Sequence, residues 1–66
     1  MGFRIRELRE KSGMSQLELA EKSGVTRATL WRLETGDDAE ATTKTLGKIA
    51  DALGTDVKEL FSDPNA

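Results

Sequence analysis

Apolar side chains recur along this chain at spacings of three and four, with charged residues between them. That period predicts helices from end to end. No stretch alternates apolar and polar positions over a useful length, so no strand is predicted. Phe3, Ile5 and Leu8 make one stripe, with Arg and Glu on the other face, and predict a first helix from Phe3 to Lys11 that stops at Ser12-Gly13. Ser15-Gln16-Leu17-Glu18 is a capping box and opens a second helix, Gln16 to about Ser23, with Leu19 and Ala20 inward and Gly24 at its end. Thr26 caps a third helix, in which Leu30, Leu33 and Glu34 share one face while Arg27, Ala28, Trp31 and Arg32 lie around the opposite side. An acidic loop, Gly36 to Ala41, separates it from a fourth helix capped by Thr42 or Thr43. Leu46, Ile49, Ala50 and Leu53 form the buried face of that helix, and Gly54 ends it. Asp56-Val57-Lys58-Glu59 reads as a second capping box, opening a short fifth helix with Val57, Leu60 and Phe61 apolar. The expected organisation is one all-α domain over residues 1–61 and a short flexible tail over 62–66.

Length then limits what the helices can do. A chain of 66 residues buries only about 60% of the surface its unfolded form exposes. It has no Cys and no His, which excludes disulfides and the usual thiolate and imidazole metal sites. Acid–base or nucleophilic chemistry would fall to Asp, Glu, Lys, Ser or Thr, in a chain with little room for a ligand pocket. The expectation is therefore a non-enzyme without cofactor or metal. No apolar run reaches the roughly 20 residues of a membrane span. Met1-Gly2-Phe3-Arg4 lacks the apolar stretch of a signal peptide, so a cytoplasmic protein with no membrane partner is expected.

The net charge of −2 speaks against a polyanionic partner until it is divided along the chain. Residues 1–34 hold seven Lys or Arg and five Asp or Glu, a balance of +2, while residues 35–66 hold three Lys and seven acids, a balance of −4. All five arginines lie in the first half. Arginine is the side chain best shaped for phosphate and for the edge of guanine.

Within that half, Ala20, Gly24 and Leu30 stand at relative positions 0, +4 and +10. Two helices joined by a short turn at about 90–120° touch where they cross, so the residue at the crossing must be small. The turn needs a residue at ease with positive φ, and the second helix needs an aliphatic anchor. Ala20, Gly24 and Leu30 meet those needs, with Val25 filling the turn. This is the helix-turn-helix arrangement of DNA-binding proteins.

More of the chain follows the same pattern. Ser15-Gln16-x-Glu18-Leu19-Ala20-x-x-Ser23-Gly24-Val25-Thr26-Arg27 resembles the XRE family, the Cro and lambda-repressor type of helix-turn-helix. The resemblance begins at Ile5-Arg6-x-Leu8-Arg9 and continues through Leu33-Glu34-x-Gly36, Thr45-Leu46-x-x-Ile49-Ala50-x-Ala52-Leu53-Gly54 and Glu59-Leu60-Phe61. It implies a compact five-helix, lambda-repressor-like domain that binds a palindromic operator in double-stranded DNA as a homodimer and regulates transcription. A repressor or a controller of a restriction–modification operon fits this size. The alternative is a protein-interaction module, such as an antitoxin, that keeps the fold and takes a protein partner.

The resemblance also implies roles for single residues. Gln16 matches a residue that grips phosphate at the start of the second helix. Arg27 and Ala28 match the first base-reading positions of the recognition helix, and Arg32 a position one turn later. Chemically, the two arginines suit O6 and N7 of guanine, and Ala28 a thymine methyl. Thr26 is a cap and a candidate backbone contact, and Lys44 a candidate phosphate contact. Arg9 and Glu34 match an enclosed ion pair that positions the helices. Trp31 has three readings: packing against a neighbouring helix, DNA contact, or a protein partner. Leu60 and Phe61 read either as core or as a patch buried against a second copy. One feature departs from the family: Asp37, Asp38 and Glu40 stand in a loop where relatives carry Lys, Arg, Asn or Pro. Near DNA these acids would oppose phosphate.

Overall fold

The computed structural model describes residues 3–36 and 41–61. Within them the chain forms α1 (Ile5–Lys11), α2 (Gln16–Ser23), α3 (Arg27–Glu34) and α4 (Thr43–Leu53), followed by a 3₁₀ turn over Val57–Leu60. The acidic residues 37–40 and the tail 62–66, for which the sequence suggests a loop and a flexible end, lie outside the described residues.

Hydroxyl groups set where three of the four helices begin. Ser15 Oγ accepts the Glu18 N–H at 3.1 Å, and Glu18 Oε1 accepts the Ser15 N–H at 3.0 Å, closing the capping box. Thr26 and Thr42 cap α3 and α4 by accepting the N–H three residues on, at 3.2 and 3.1 Å. Each such cap satisfies a backbone donor that the helix itself leaves open and is worth about 1 kcal/mol. Gly24 and Gly54 close α2 and α4 in the left-handed conformation, at φ 75° and 71°. A side chain there would meet open space but pay for the backbone, at about 1–2 kcal/mol.

Both ends of the described chain differ from the sequence expectation, for one shared reason. Helix α1 starts at Ile5 rather than Phe3 and has no side-chain cap. The Arg4 N–H bonds instead to the Leu60 carbonyl at 2.6 Å. Phe3 and Phe61 pair as an isolated antiparallel bridge, with ring centroids 5.5 Å apart. The expected fifth α-helix is the four-residue 3₁₀ turn, and Asp56 makes no side-chain cap, so the second capping box does not form. Leu60 has to bury its side chain while its carbonyl faces Arg4. A 3₁₀ turn climbs about 2.0 Å per residue against 1.5 Å for an α-helix and covers that path in fewer residues.

All four helices and the turn supply the core. Ile5, Leu19, Leu30, Leu33, Ile49 and Leu60 are fully buried, and Val25, Leu46 and Ala50 complete the cluster. Leu60, offered by the sequence as a subunit contact, is therefore core of its own protomer. Only Phe61, 50% exposed, presents surface there.

This placement separates two neighbours. Leu60→Ala should cost about 2–5 kcal/mol of stability, the usual range for emptying a buried leucine site. Phe61→Ala, measured on dilute protein by urea unfolding, should cost less. Equal losses would contradict the assignment of Leu60 to the core and Phe61 to the surface.

Candidate nucleic-acid interface

Helices α2 and α3 are joined through Gly24, Val25 and Thr26. Val25 is buried in the turn, and so is Ser23. The Ser23 hydroxyl donates to the Ala20 carbonyl at 3.4 Å and accepts the Val25 N–H at 3.2 Å. It thereby satisfies the backbone at the point where the chain reverses. The sequence places Ser23 in the family motif without assigning it a role. The readable signal is its place just before the left-handed glycine, where the N–H after the turn needs an acceptor.

Leu30 and Leu33 fix α3 against the core, which leaves Arg27, Ala28, Trp31 and Arg32 exposed on its outer side. Trp31 does not pack into the protomer; it is 59% exposed. The Thr26 hydroxyl caps the helix and also donates to Thr29 Oγ1 at 3.0 Å. Arg27 is the first residue of α3 and Lys44 the second of α4, and neither helix has an acid in its first turn. A cation at a helix N-terminus opposes the macrodipole, at roughly 0.3–1 kcal/mol. An anion bound there would reverse the sign.

At the edge of this face, by the end of α3, lies a bidentate ion pair. Arg9 Nε donates to Glu34 Oε2 at 3.0 Å and its Nη2 to Glu34 Oε1 at 3.1 Å. The third guanidinium nitrogen, Nη1, donates to the Met14 carbonyl at 2.8 Å. Gln16 Nε2 donates to Glu34 Oε1 at 3.3 Å. The side chains of Arg9 and Glu34 are only 12% and 4% exposed. The hydrogen bonds to Glu34 hold the Arg9 guanidinium protonated above its ordinary range, against the opposing effect of burial. One carboxylate at the end of α3 thus ties α1, the start of α2 and the loop between them. Gln16, a candidate phosphate ligand, has its amide N–H₂ engaged in that network.

The candidate residues therefore fall into groups. Thr26, Arg27, Ala28, Trp31 and Arg32 share one cap and helix. Gln16 joins Arg9 and Glu34. Lys44 stands on α4, and Phe61 on the bridge at the end of the chain. Among the described residues no group of three or more His, Cys, Asp or Glu is placed to hold a metal, and no helix is long and apolar enough to cross a membrane.

Comparison with known proteins agrees with this geometry. A helix-turn-helix family model matches residues 5–60. The chain belongs to the helix-turn-helix family of XRE type. Over 61 residues this helix-turn-helix domain is 43% identical to an uncharacterized HTH-type transcriptional regulator of Archaeoglobus fulgidus, covering 92% of this chain and 86% of that protein. Over 63 residues it is 35% identical to the HTH-type transcriptional regulator PuuR of Escherichia coli, covering 96% of this chain and 34% of PuuR. A Pyrococcus furiosus protein with an HTH-type transcriptional regulatory designation is 38% identical over 63 residues, covering 96% of this chain and 17% of that protein. The chain thus spans about a third or less of those last two relatives. No solved structure gives a significant match. DNA binding in transcription regulation is the activity this family carries.

The ion pair makes a sharp prediction. Arg9→Ala strands the Glu34 carboxylate and should cost about 3–5 kcal/mol. Arg6, whose side chain is 69% exposed and pairs with Glu10 at 3.4 Å, should be replaceable by Ala within about 0.5 kcal/mol. Thermal unfolding of the two variants checks this, and equal melting temperatures would contradict it.

Proposed function

We propose that this domain binds a specific palindromic operator as a homodimer and acts as a repressor in the cytoplasm, with Arg27, Ala28 and Arg32 reading base edges. The observation that carries the reading is the outer side of α3, where two arginines flank apolar residues opposite a buried leucine pair. Basic residues placed against the dipoles of α3 and α4 add support, because departures from a local rule concentrate at functional or strained sites.

In this reading α3 enters the major groove. Arg27 and Arg32 each offer a planar fork to O6 and N7 of guanine, and Ala28 meets a thymine methyl. Thr26, Gln16 and Lys44 hold phosphate at helix N-termini, which sets register without reading sequence. Gln16 keeps its amide oriented through Glu34. A second copy docks through Phe61, whose half-exposed ring is backed by Phe3. The two recognition helices then meet half-sites about 34 Å apart, one turn of DNA. A repressor of this design acts by occupying the promoter, with no catalytic step assigned to any residue.

Arg27→Ala and Arg32→Ala should each cost about 1–3 kcal/mol of specific binding, read by fluorescence anisotropy on a duplex enriched from a random-sequence pool. Lys44→Ala should weaken specific and random DNA alike and lower the salt slope by about one. Unchanged affinity in a folded Arg27→Ala, Arg32→Ala double variant would contradict the recognition assignment.

A further inference from the structure

Trp31 is the largest exposed apolar side chain on the α3 surface, and operator binding through the arginines leaves it unused. At about 100° per residue it lies about 40° round the helix from Arg27 and about 60° from Ala28. Its indole is 59% exposed. Scattered exposed apolar residues are ordinary, but an aromatic ring between base-reading positions is not scattered. With the Ala28 methyl it makes an apolar strip bounded by Arg27 and Arg32.

We propose that Trp31 makes this domain prefer a C5-methylated pyrimidine at one position of each half-site. The inference rests on the operator-binding reading above and deepens it. The flanking charge selects the occupant. A protein surface seated on Trp31 would have to cover Arg27 and Arg32 as well, whereas a DNA groove supplies phosphate and guanine acceptors to both. Within the major groove, the one apolar group that base pairs present is the C5 methyl of thymine. The rigid indole offers it a broad flat surface at low cost in side-chain entropy. Arginine reads a guanine by hydrogen bonds, and the indole reads its neighbour by burial of a methyl group. The two contributions are separable by experiment.

The probe is a duplex enriched from a random-sequence pool by the wild-type chain. Each thymidine is then replaced singly by deoxyuridine, which keeps every hydrogen-bonding edge and lacks only the methyl. At one position per half-site the replacement should weaken wild-type binding about fourfold, the worth of one buried methylene-sized group. At that position Trp31→Ala, folded by circular dichroism, should bind the thymidine and deoxyuridine duplexes equally, while a thymine met by Ala28 should keep its ratio. Arg27→Ala should bind both more weakly while keeping the ratio between them. A wild-type ratio of one at every thymidine overturns the proposal, and so does a Trp31→Ala variant that keeps the fourfold ratio wherever the wild type shows it. In either case the operator reading survives. Failure of the pool to yield any enriched sequence would overturn the operator reading itself and the methyl preference with it.

Discussion

The enclosed carboxylate of Glu34 is the constraint on which the arrangement of helices depends. It sits at the end of α3 and takes two donors from Arg9 on α1 and one from Gln16 at the start of α2. Removing two charges from water is costly, so such a pair adds little net stability over an apolar replacement. Its directional bonds do something a leucine contact does not. They help to fix the rotation of α3 about its axis, because the carboxylate has to reach both partners. The same rotation places Leu30 and Leu33 in the core and turns Arg27, Ala28, Trp31 and Arg32 outward. The orientation of the candidate reading face is thus set jointly by the buried leucines and by a polar network at the edge of that face.

The rest of the chain solves the problem of a small core. Among the described residues six side chains are fully buried, one or two from each element. Domains of this size have stabilities of roughly 3–5 kcal/mol, so every helix end counts. Hydroxyl caps at Ser15, Thr26 and Thr42 supply the starts. The start of α1 has no such cap and is held by the far end of the chain, through the bond from Arg4 to Leu60 and the bridge between Phe3 and Phe61. That closure brings the first and last described residues together beneath the core. It also leaves the Phe61 ring half exposed and backed by Phe3.

Much of this was legible in the sequence, and the misses have physical causes. Helices α2, α3 and α4 could be bounded to within a residue because their signals are local: a hydroxyl cap at one end and, for α2 and α4, a left-handed glycine at the other. The face of α3 followed from the helical period alone. The ion pair of Arg9 and Glu34 could not be derived from spacing, since the partners are 25 positions apart, and came only from family resemblance. The chain ends were misread because their partners lie at opposite ends of the sequence. A stripe of Phe3, Ile5 and Leu8 looks helical until Phe3 is claimed by Phe61, and a capping box at Asp56 looks sound until the 3₁₀ turn shortens the path to Leu60. The role of Ser23, quoted only as part of the motif, was not legible because its burial follows from the turn, not from its own polarity.

With α3 held in this way, its outer side is the surface that meets DNA. Titrating the isotope-labelled chain with an enriched duplex, and following backbone amides and the Trp31 indole N–H by NMR, tests it most directly. The account predicts the largest shifts at Thr26 to Arg32, at the indole, and at the first turns of α2 and α4. The amides of Arg6, Glu7 and Glu10 on the outer side of α1 should stay nearly still. Shifts centred on α1, or an indole resonance that does not move while the amides of α4 do, would contradict it.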